Sequence, residues 1–311
     1  IPDAQESRGL GDVYKRQTYI LSDQVIKFEE DFSNFLNIEN CIGVGNGLDA
    51  MVLSLKALDF KAGGEVIVPS NTYIATIIAI LRAELKPVLV EPDIDTYNID
   101  TNLIEESISS NTVAILPVHL YGLPCDMDGI SRLAKKYNLS IIEDCAQSHG
   151  AKFKGKDTGT FGDFGCFSFY PTKNLGALGD AGAIVTNNPN LASKCKSLRN
   201  YGSEKKYHNK YLGFNSRLDE LQAGFLRIKL KHLDRINKHK RELAEVYFEN
   251  LSDSCIKPHV DPDYLSVFHI FPIRIQDRDG LRAYLKKNGI NTDIHYPIPP
   301  HRQKGLEGLI Q

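Results

Sequence analysis

The sequence has no CxxC pair, and no two of its six cysteines stand at the spacing of zinc ligands. Cys41, Cys125, Cys145, Cys166, Cys195 and Cys255 are instead scattered through apolar segments. They read as reduced core thiols of a cytoplasmic protein, and neither a disulfide framework nor a metal site is expected. No apolar run reaches the roughly 20 residues that cross a bilayer, so no membrane partner is expected. No charge of one sign dominates: 37 Lys and Arg face 39 Asp and Glu, a formal net charge of −2, which gives no footing for nucleic acid or an anionic surface. Internal repeats and low-complexity tracts are lacking too. What is present is an ordinary soluble composition, 42% hydrophobic and 24% charged. At 311 residues the chain can bury a sizeable core, as one large domain or two smaller ones.

The two ends stand apart from this pattern. IPDAQESRGLGDVYKRQ (1–17) has neither a helical nor a strand period, and it lacks the apolar region of a signal peptide. Residues 1–17 are therefore read as outside the native fold. GLEGLIQ follows a proline-rich turn without a closing element, and both ends read as those of a fragment. Between them, short apolar runs at 41–44, 65–69, 86–92, 112–118, 139–145 and 182–187 alternate with helical patterns. That alternation predicts an α/β fold with a mostly parallel central sheet covered by helices on both faces, spanning 18–235. From about Ser216 one long charged helical stretch, with room for a bend, leads to a strand (267–275) and a helix (278–289). Residues 236–311 are read as a smaller, incomplete C-terminal α+β domain.

FSFYPTKNLGALGD (167–180) sets Lys173 between an aromatic approach and a glycine-rich exit. Desolvation lowers a lysine pKa, the condition in which its amine forms Schiff bases. A lysine pointing outward from a loop fits the same residues. GVGNGLDAM (43–51) has the spacing G-x-G-x-G, so it fits a dinucleotide fingerprint poorly. Glycines leading into helix-start amides still make an anion site suited to phosphate, with an ordinary tight turn as the alternative. IIEDCAQ (141–147) ends a buried strand in Glu143 and Asp144, which point to opposite faces. Asp144 would either compensate a protonated ring nitrogen or cap a helix. Tyr73, in SNTYIAT, would either stack on a flat ring or pack in the core. One cofactor needs all of these at the strand ends of one sheet. Pyridoxal 5'-phosphate (PLP) requires a phosphate cradle, an acid for its ring nitrogen, a stacking surface and a Schiff-base lysine.

With these segments, VIVPSNTYIAT, PVHLYGLPCDMD, IIEDCAQSHGA, GDFGCFSFYPTKNLGALGDAGAIVTN, LRNYGS and GFNSRLDELQA follow the order and spacing of a known family. From about residue 18 to 311 the chain resembles the DegT/DnrJ/StrS sugar-nucleotide aminotransferases, fold-type I PLP enzymes. The resemblance implies Lys173 as the Schiff-base lysine, Asp144 as partner of the pyridine nitrogen, and Gln147 beside the ring hydroxyl. Tyr73 would stack on the ring. Gly47, the amides of Leu48 and Asp49, and the Ser168 hydroxyl would hold the phosphate. Asn215 would reach the phosphate of a neighbouring subunit, which implies a homodimer with shared active sites. His295, Tyr296 and His301, in DIHYPIPPH, would approach the substrate or form a structural turn. Relatives with histidine in place of the lysine run a dehydration, so Lys173 implies transamination.

The donor implied is L-glutamate. The acceptor is a nucleotide-linked keto sugar, most like a dTDP-3-oxo-6-deoxyhexose aminated at carbon 3, for surface polysaccharide or glycosylated metabolites. Amination at carbon 4, or a PLP-binding regulator without catalysis, are the alternatives.

Overall fold

The computed structural model describes residues 11 and 13–310. Its central sheet has seven strands: β1 (Asn40–Val44), β2 (Glu65–Pro69), β3 (Lys86–Val90), β4 (Thr112–Ile115), β5 (Ser140–Asp144), β8 (Phe164–Ser168) and β9 (Gly182–Thr186). Two-residue strands β6 (Lys152–Phe153) and β7 (Lys156–Asp157) form a separate small sheet with Tyr264–Leu265. The central order is β1-β9-β8-β5-β4-β2-β3. β9 is antiparallel to both of its neighbours, and the other pairings are parallel. The two reversals cancel, so β1 runs with β8, β5, β4 and β2, and their carboxyl ends share one edge.

Both faces are buried, which is why these strands read as unbroken apolar runs. Val66 and Val68 join one core while Ile67 joins the other, and Ile184 is likewise opposed to Ala183 and Val185. The helices of nine or more residues are α1 (Asp23–Leu36), α2 (Gly47–Ala57), α3 (Ile74–Arg82), α4 (Met127–Tyr137), α5 (Pro189–Leu198), α6 (Glu220–Leu230), α7 (Leu233–Asn250) and α8 (Arg278–Lys287). α2, α3 and α5 cover one face; α1, α6 and α4 cover the other. β8 was absent from the sequence-derived set. It has no alternating pattern to betray it, because all but its last residue are buried.

Its aromatic run is explained by strand alternation. Phe167 and Phe169 point at α1, where Phe32 meets both edge-on at centroid distances of 5.0 and 5.4 Å. Ser168 and Tyr170 therefore fall on the opposite side, toward the carboxyl edge.

Several segments fold differently from their sequence patterns. Over 1–17, residues 1–10 and 12 lie outside the described residues, but 13–16 are helical and Val13 is buried, so that part has a packed face. The boundary at 235/236 falls inside α7. The charged stretch before it is two helices, broken at 231–232. The strand expected at 267–275 makes only the bridge of Arg274 with Ile256. Its amides go elsewhere: Val267 donates to the Gly122 carbonyl at 3.0 Å and Ile270 to that of Tyr121 at 3.3 Å.

Candidate active site

The carboxyl edge opens into a cavity of about 660 Å³. At one end lies the start of α2. Val44 and Ser168 both stand opposite Gly182 in the sheet register, which brings the β1–α2 turn against β8. The approach is closer than side chains allow. A Cβ on Gly47 would lie 2.6 Å from the Ser168 Cβ, and one on Gly182 would lie 2.5 Å from the Asn46 carbonyl. Asn46 caps the helix, its Oδ1 accepting from the Asp49 amide at 2.8 Å. The Asp49 amide is thus spent within the cap, and Asp49 is not among the cavity-lining residues, against expectation. Gly47, Leu48 and Ser168 do line the cavity, at a helix N-terminus, where free amides and the helix dipole favour an anion.

Asp144 occupies the floor, 5% exposed. One carboxylate oxygen accepts from the Thr76 hydroxyl at 2.9 Å and the other from the Ala146 amide at 3.0 Å. Its backbone bridges to the segment after β4, the amide donating to Pro117 at 2.9 Å and the carbonyl accepting from His119 at 3.1 Å. No helix starts behind it, so the capping alternative falls away. Burial pushes the Asp144 carboxyl above its usual range; its hydrogen bonds and the Lys173 charge pull it back.

Lys173 lines the same cavity, half-buried, on a turn in which its amide donates to the Tyr170 carbonyl at 2.9 Å. Burial lowers its pKa, opposed by Asp144. Among the described residues its ammonium has no hydrogen-bond or ion-pair partner.

Tyr73 precedes α3 and is 56% exposed, so it is a wall of the cavity and not core packing. Its ring lies 5.6 Å from that of Tyr296. Gln147 ties the cavity together: its Oε1 accepts from the Tyr121 amide at 2.6 Å and its Nε2 donates to the Tyr296 hydroxyl at 3.1 Å. The Tyr121 hydroxyl in turn donates to the His295 carbonyl at 2.5 Å. His295 and Tyr296 accordingly overhang the cavity. His301 is exposed on the 3-10 turn Pro300–Arg302, and Asn215 is exposed beside its bridge to Asn200; neither lines the cavity.

Glu143 leaves the other face of β5. It accepts from the amides of Gly159, Phe161 and Gly162 at 2.7, 2.7 and 2.9 Å and meets His119 Nε2 at 3.0 Å. Cys145 lies within the same group, all ligand atoms within 4.8 Å. With its carboxylate fully engaged and the thiol pKa raised well by burial, this group anchors the strand that carries Asp144.

Sequence reading missed Thr76, Asn46 and His269. Thr76 stands three residues after Tyr73, which puts both on one side of a helix start. Asn46 followed by Asp49 is a capping pattern. His269 lines the cavity from within the misread strand, and no local pattern marks it.

The profile of the DegT/DnrJ/EryC1/StrS aminotransferase family matches residues 2–309. The chain is 55% identical over 287 residues to a dTDP-3-amino-3,6-dideoxy-alpha-D-galactopyranose transaminase of Aneurinibacillus thermoaerophilus, covering 92% of this chain and 79% of that one. It superposes on the crystal structure of S. venezuelae DesV in complex with a ketimine intermediate with a TM-score of 0.96, at 42% identity, over 99% of this chain and 84% of that one. NtdA of Bacillus subtilis with bound cofactor PMP gives a TM-score of 0.90, at 35% identity, over 97% and 71%.

Proposed function

The chain belongs to the DegT/DnrJ/EryC1/StrS aminotransferase family, and from that premise we propose that it moves an amino group from L-glutamate to a nucleotide-linked keto sugar. The acceptor we favour is a dTDP-3-oxo-6-deoxyhexose aminated at carbon 3, in keeping with the 55% identical relative. The observation that carries the reading is the meeting of an unpartnered lysine, a buried carboxylate and a glycine-built anion cradle in one cavity.

PLP fits these residues. The helix start at Gly47 and Leu48 can close on Ser168, as a phosphate cradle would require, only because Gly47 has no Cβ. Each Asp144 oxygen has one donor and a lone pair to spare, and a cation brought to it would offset the cost of its burial. Tyr73 would cover one ring face and Gln147 would sit at the ring edge. When bound, PLP supplies the electron sink for making and breaking the carbon–nitrogen bond. Lys173 would anchor it and, once released, carry the proton between carbon centres as base and then acid. His295 and Tyr296, which overhang the cavity, would meet the sugar. Such an enzyme would work in the cytoplasm, supplying amino sugars for surface polysaccharide or glycosylated metabolites. The test is incubation with PLP and L-glutamate, then with a panel of 3-oxo and 4-oxo dTDP- and UDP-hexoses. Bleaching of the lysine-bound cofactor by glutamate and amination of the 3-oxo dTDP sugar are expected. Failure of the glutamate step would overturn the reading.

The working unit we infer is a homodimer in which Asn215 serves the partner's phosphate site, since Asn215 is exposed and outside its own cavity lining. Mixing Lys173→Ala with Asn215→Ala should restore part of the activity, because a mixed dimer collects both lesions in one site and leaves the other whole. No recovery despite subunit exchange would contradict the shared site.

A further inference from the structure

We propose that the hydroxyls of Thr76 and Thr72 are a two-way hydrogen-bond partner for Asp144, turned one way when the carboxylate is charged and the other way when it holds a proton. What the pair does for amino transfer rests on the reading of Asp144 as partner of a ring nitrogen; the pair itself does not. Thr76 Oγ1 lies 2.9 Å from Asp144 Oδ2 and 2.7 Å from Thr72 Oγ1. Both threonines are buried, four positions apart across the start of α3. A hydroxyl has one proton and two lone pairs. Against a charged Asp144, Thr76 spends its proton on the carboxylate, so the proton between the two threonines is the one on Thr72. Against a protonated Asp144 the order reverses. The acid proton goes to Thr76 Oγ1, Thr76 donates to Thr72, and Thr72, which lines the cavity, turns its own proton there.

The other carboxylate oxygen has no such freedom. Asp144 Oδ1 meets the Ala146 amide at 3.0 Å, a donor that cannot reverse and that serves an acceptor only. The acid proton therefore belongs on Oδ2, facing Thr76. Both charge states matter, because burial favours the protonated form while a cation brought to the oxygens would hold the charged one. Asp144 is also faced by Lys173, His119, Tyr296, Cys125, Cys145 and Cys166. Among the described residues none of these six bonds its carboxylate; Thr76 and Ala146 do. A fixed donor in place of Thr76 would be stranded in the interior whenever Asp144 took up a proton, and stranded buried donors are costly. Thr76 and Thr72 are thus positioning residues that act through Asp144, letting it change charge as a ring nitrogen arrives or leaves.

The test uses the cofactor-free chain. Carboxyl-¹³C labelling of aspartate, with Asp144→Asn to assign the signal, follows Asp144 through its titration by NMR. Thr76→Val removes a charge-assisted donor, worth more than the neutral bond lost with it, so the midpoint should rise by about one pH unit. Thr72→Val leaves Thr76 free to donate to the charged form but removes the acceptor that Thr76 needs when Asp144 is protonated. Its midpoint should therefore fall, by about half a pH unit or more. Thr76→Ser and Thr72→Ser should each restore the wild-type midpoint. A pair that only ever donates toward Asp144 predicts the opposite for Thr72→Val, an unmoved or raised midpoint, and that result would overturn the proposal. So would an unmoved midpoint in Thr76→Val, or serine variants that behave like the valine ones. Where a valine variant does not fold, the alanine variant is titrated in its place, with the same signs expected. The titration needs neither cofactor nor transamination. Opposite shifts in a chain that fails with glutamate would sink the functional reading alone, and an active enzyme without them would sink this one alone.

Discussion

Lys173→Ala should lower amino transfer by about 10⁴-fold or more, because one side chain is asked to do two jobs. The first is anchoring the cofactor through a covalent bond. The second is proton transfer, on its own worth roughly 10²–10⁴. Nothing nearby can replace it. Asp144 is engaged by Thr76 and Ala146, and His269 and His149 are both pushed far below their ordinary pKa by burial, with Lys173 adding to the effect. Lys173→Arg should be no better: the guanidinium stays protonated at any working pH and cannot act as a base. The phosphate cradle is untouched in either variant, so the cofactor should still bind without its lysine-bound absorbance. Borohydride trapping in the wild type should label Lys173. A label on another lysine, or an alanine variant within tenfold of wild type, would refute the assignment.

The residues that were legible in the sequence are those whose role depends on near neighbours. Val66–Val68 announces a doubly buried strand, and a carboxylate or tyrosine just past such a strand lies on the ligand edge by topology alone. Asp144 and Tyr73 were singled out that way, and Lys173 by the aromatic run before it and the glycines after it; all three line the cavity. Asp49 differs because its amide is claimed by the Asn46 side chain, a capping bond that the three-residue spacing allowed but the resemblance passed over. The 267–275 segment has strand composition, yet the backbone it finds is the Tyr121–Gly122 loop and not a sheet edge. His269 was illegible for a plainer reason: Asn174, which its Nδ1 meets at 3.1 Å, is 95 positions away. Asn215 and His301 entered through resemblance alone, and the fold leaves both outside the cavity lining.

Asp144→Asn should separate stability from catalysis at a single atom. The substitution keeps the shape and removes the charge: the asparagine oxygen can accept from the Ala146 amide, and its Nδ2 can donate to the Thr76 hydroxyl, which is free to turn its own proton to Thr72. In the cofactor-free protein, burial raises the Asp144 pKa above its unfolded value. The folded state then holds the proton more tightly than the unfolded one, so stability falls as pH rises above the ordinary carboxylate range. At neutral pH the ionised Asp144 therefore costs stability, and the asparagine variant should melt no earlier than wild type. Catalysis should move the other way. The charge that would hold a protonated ring nitrogen is gone, and loss of one preorganised electrostatic contact typically costs on the order of 10²–10³ in kcat. The glutamate half-reaction, followed in a single turnover, should slow by about that factor while the phosphate cradle keeps the cofactor bound. A variant that melts well below wild type would show Asp144 to be a structural carboxylate, and one that turns over normally would place the partner of the ring nitrogen elsewhere.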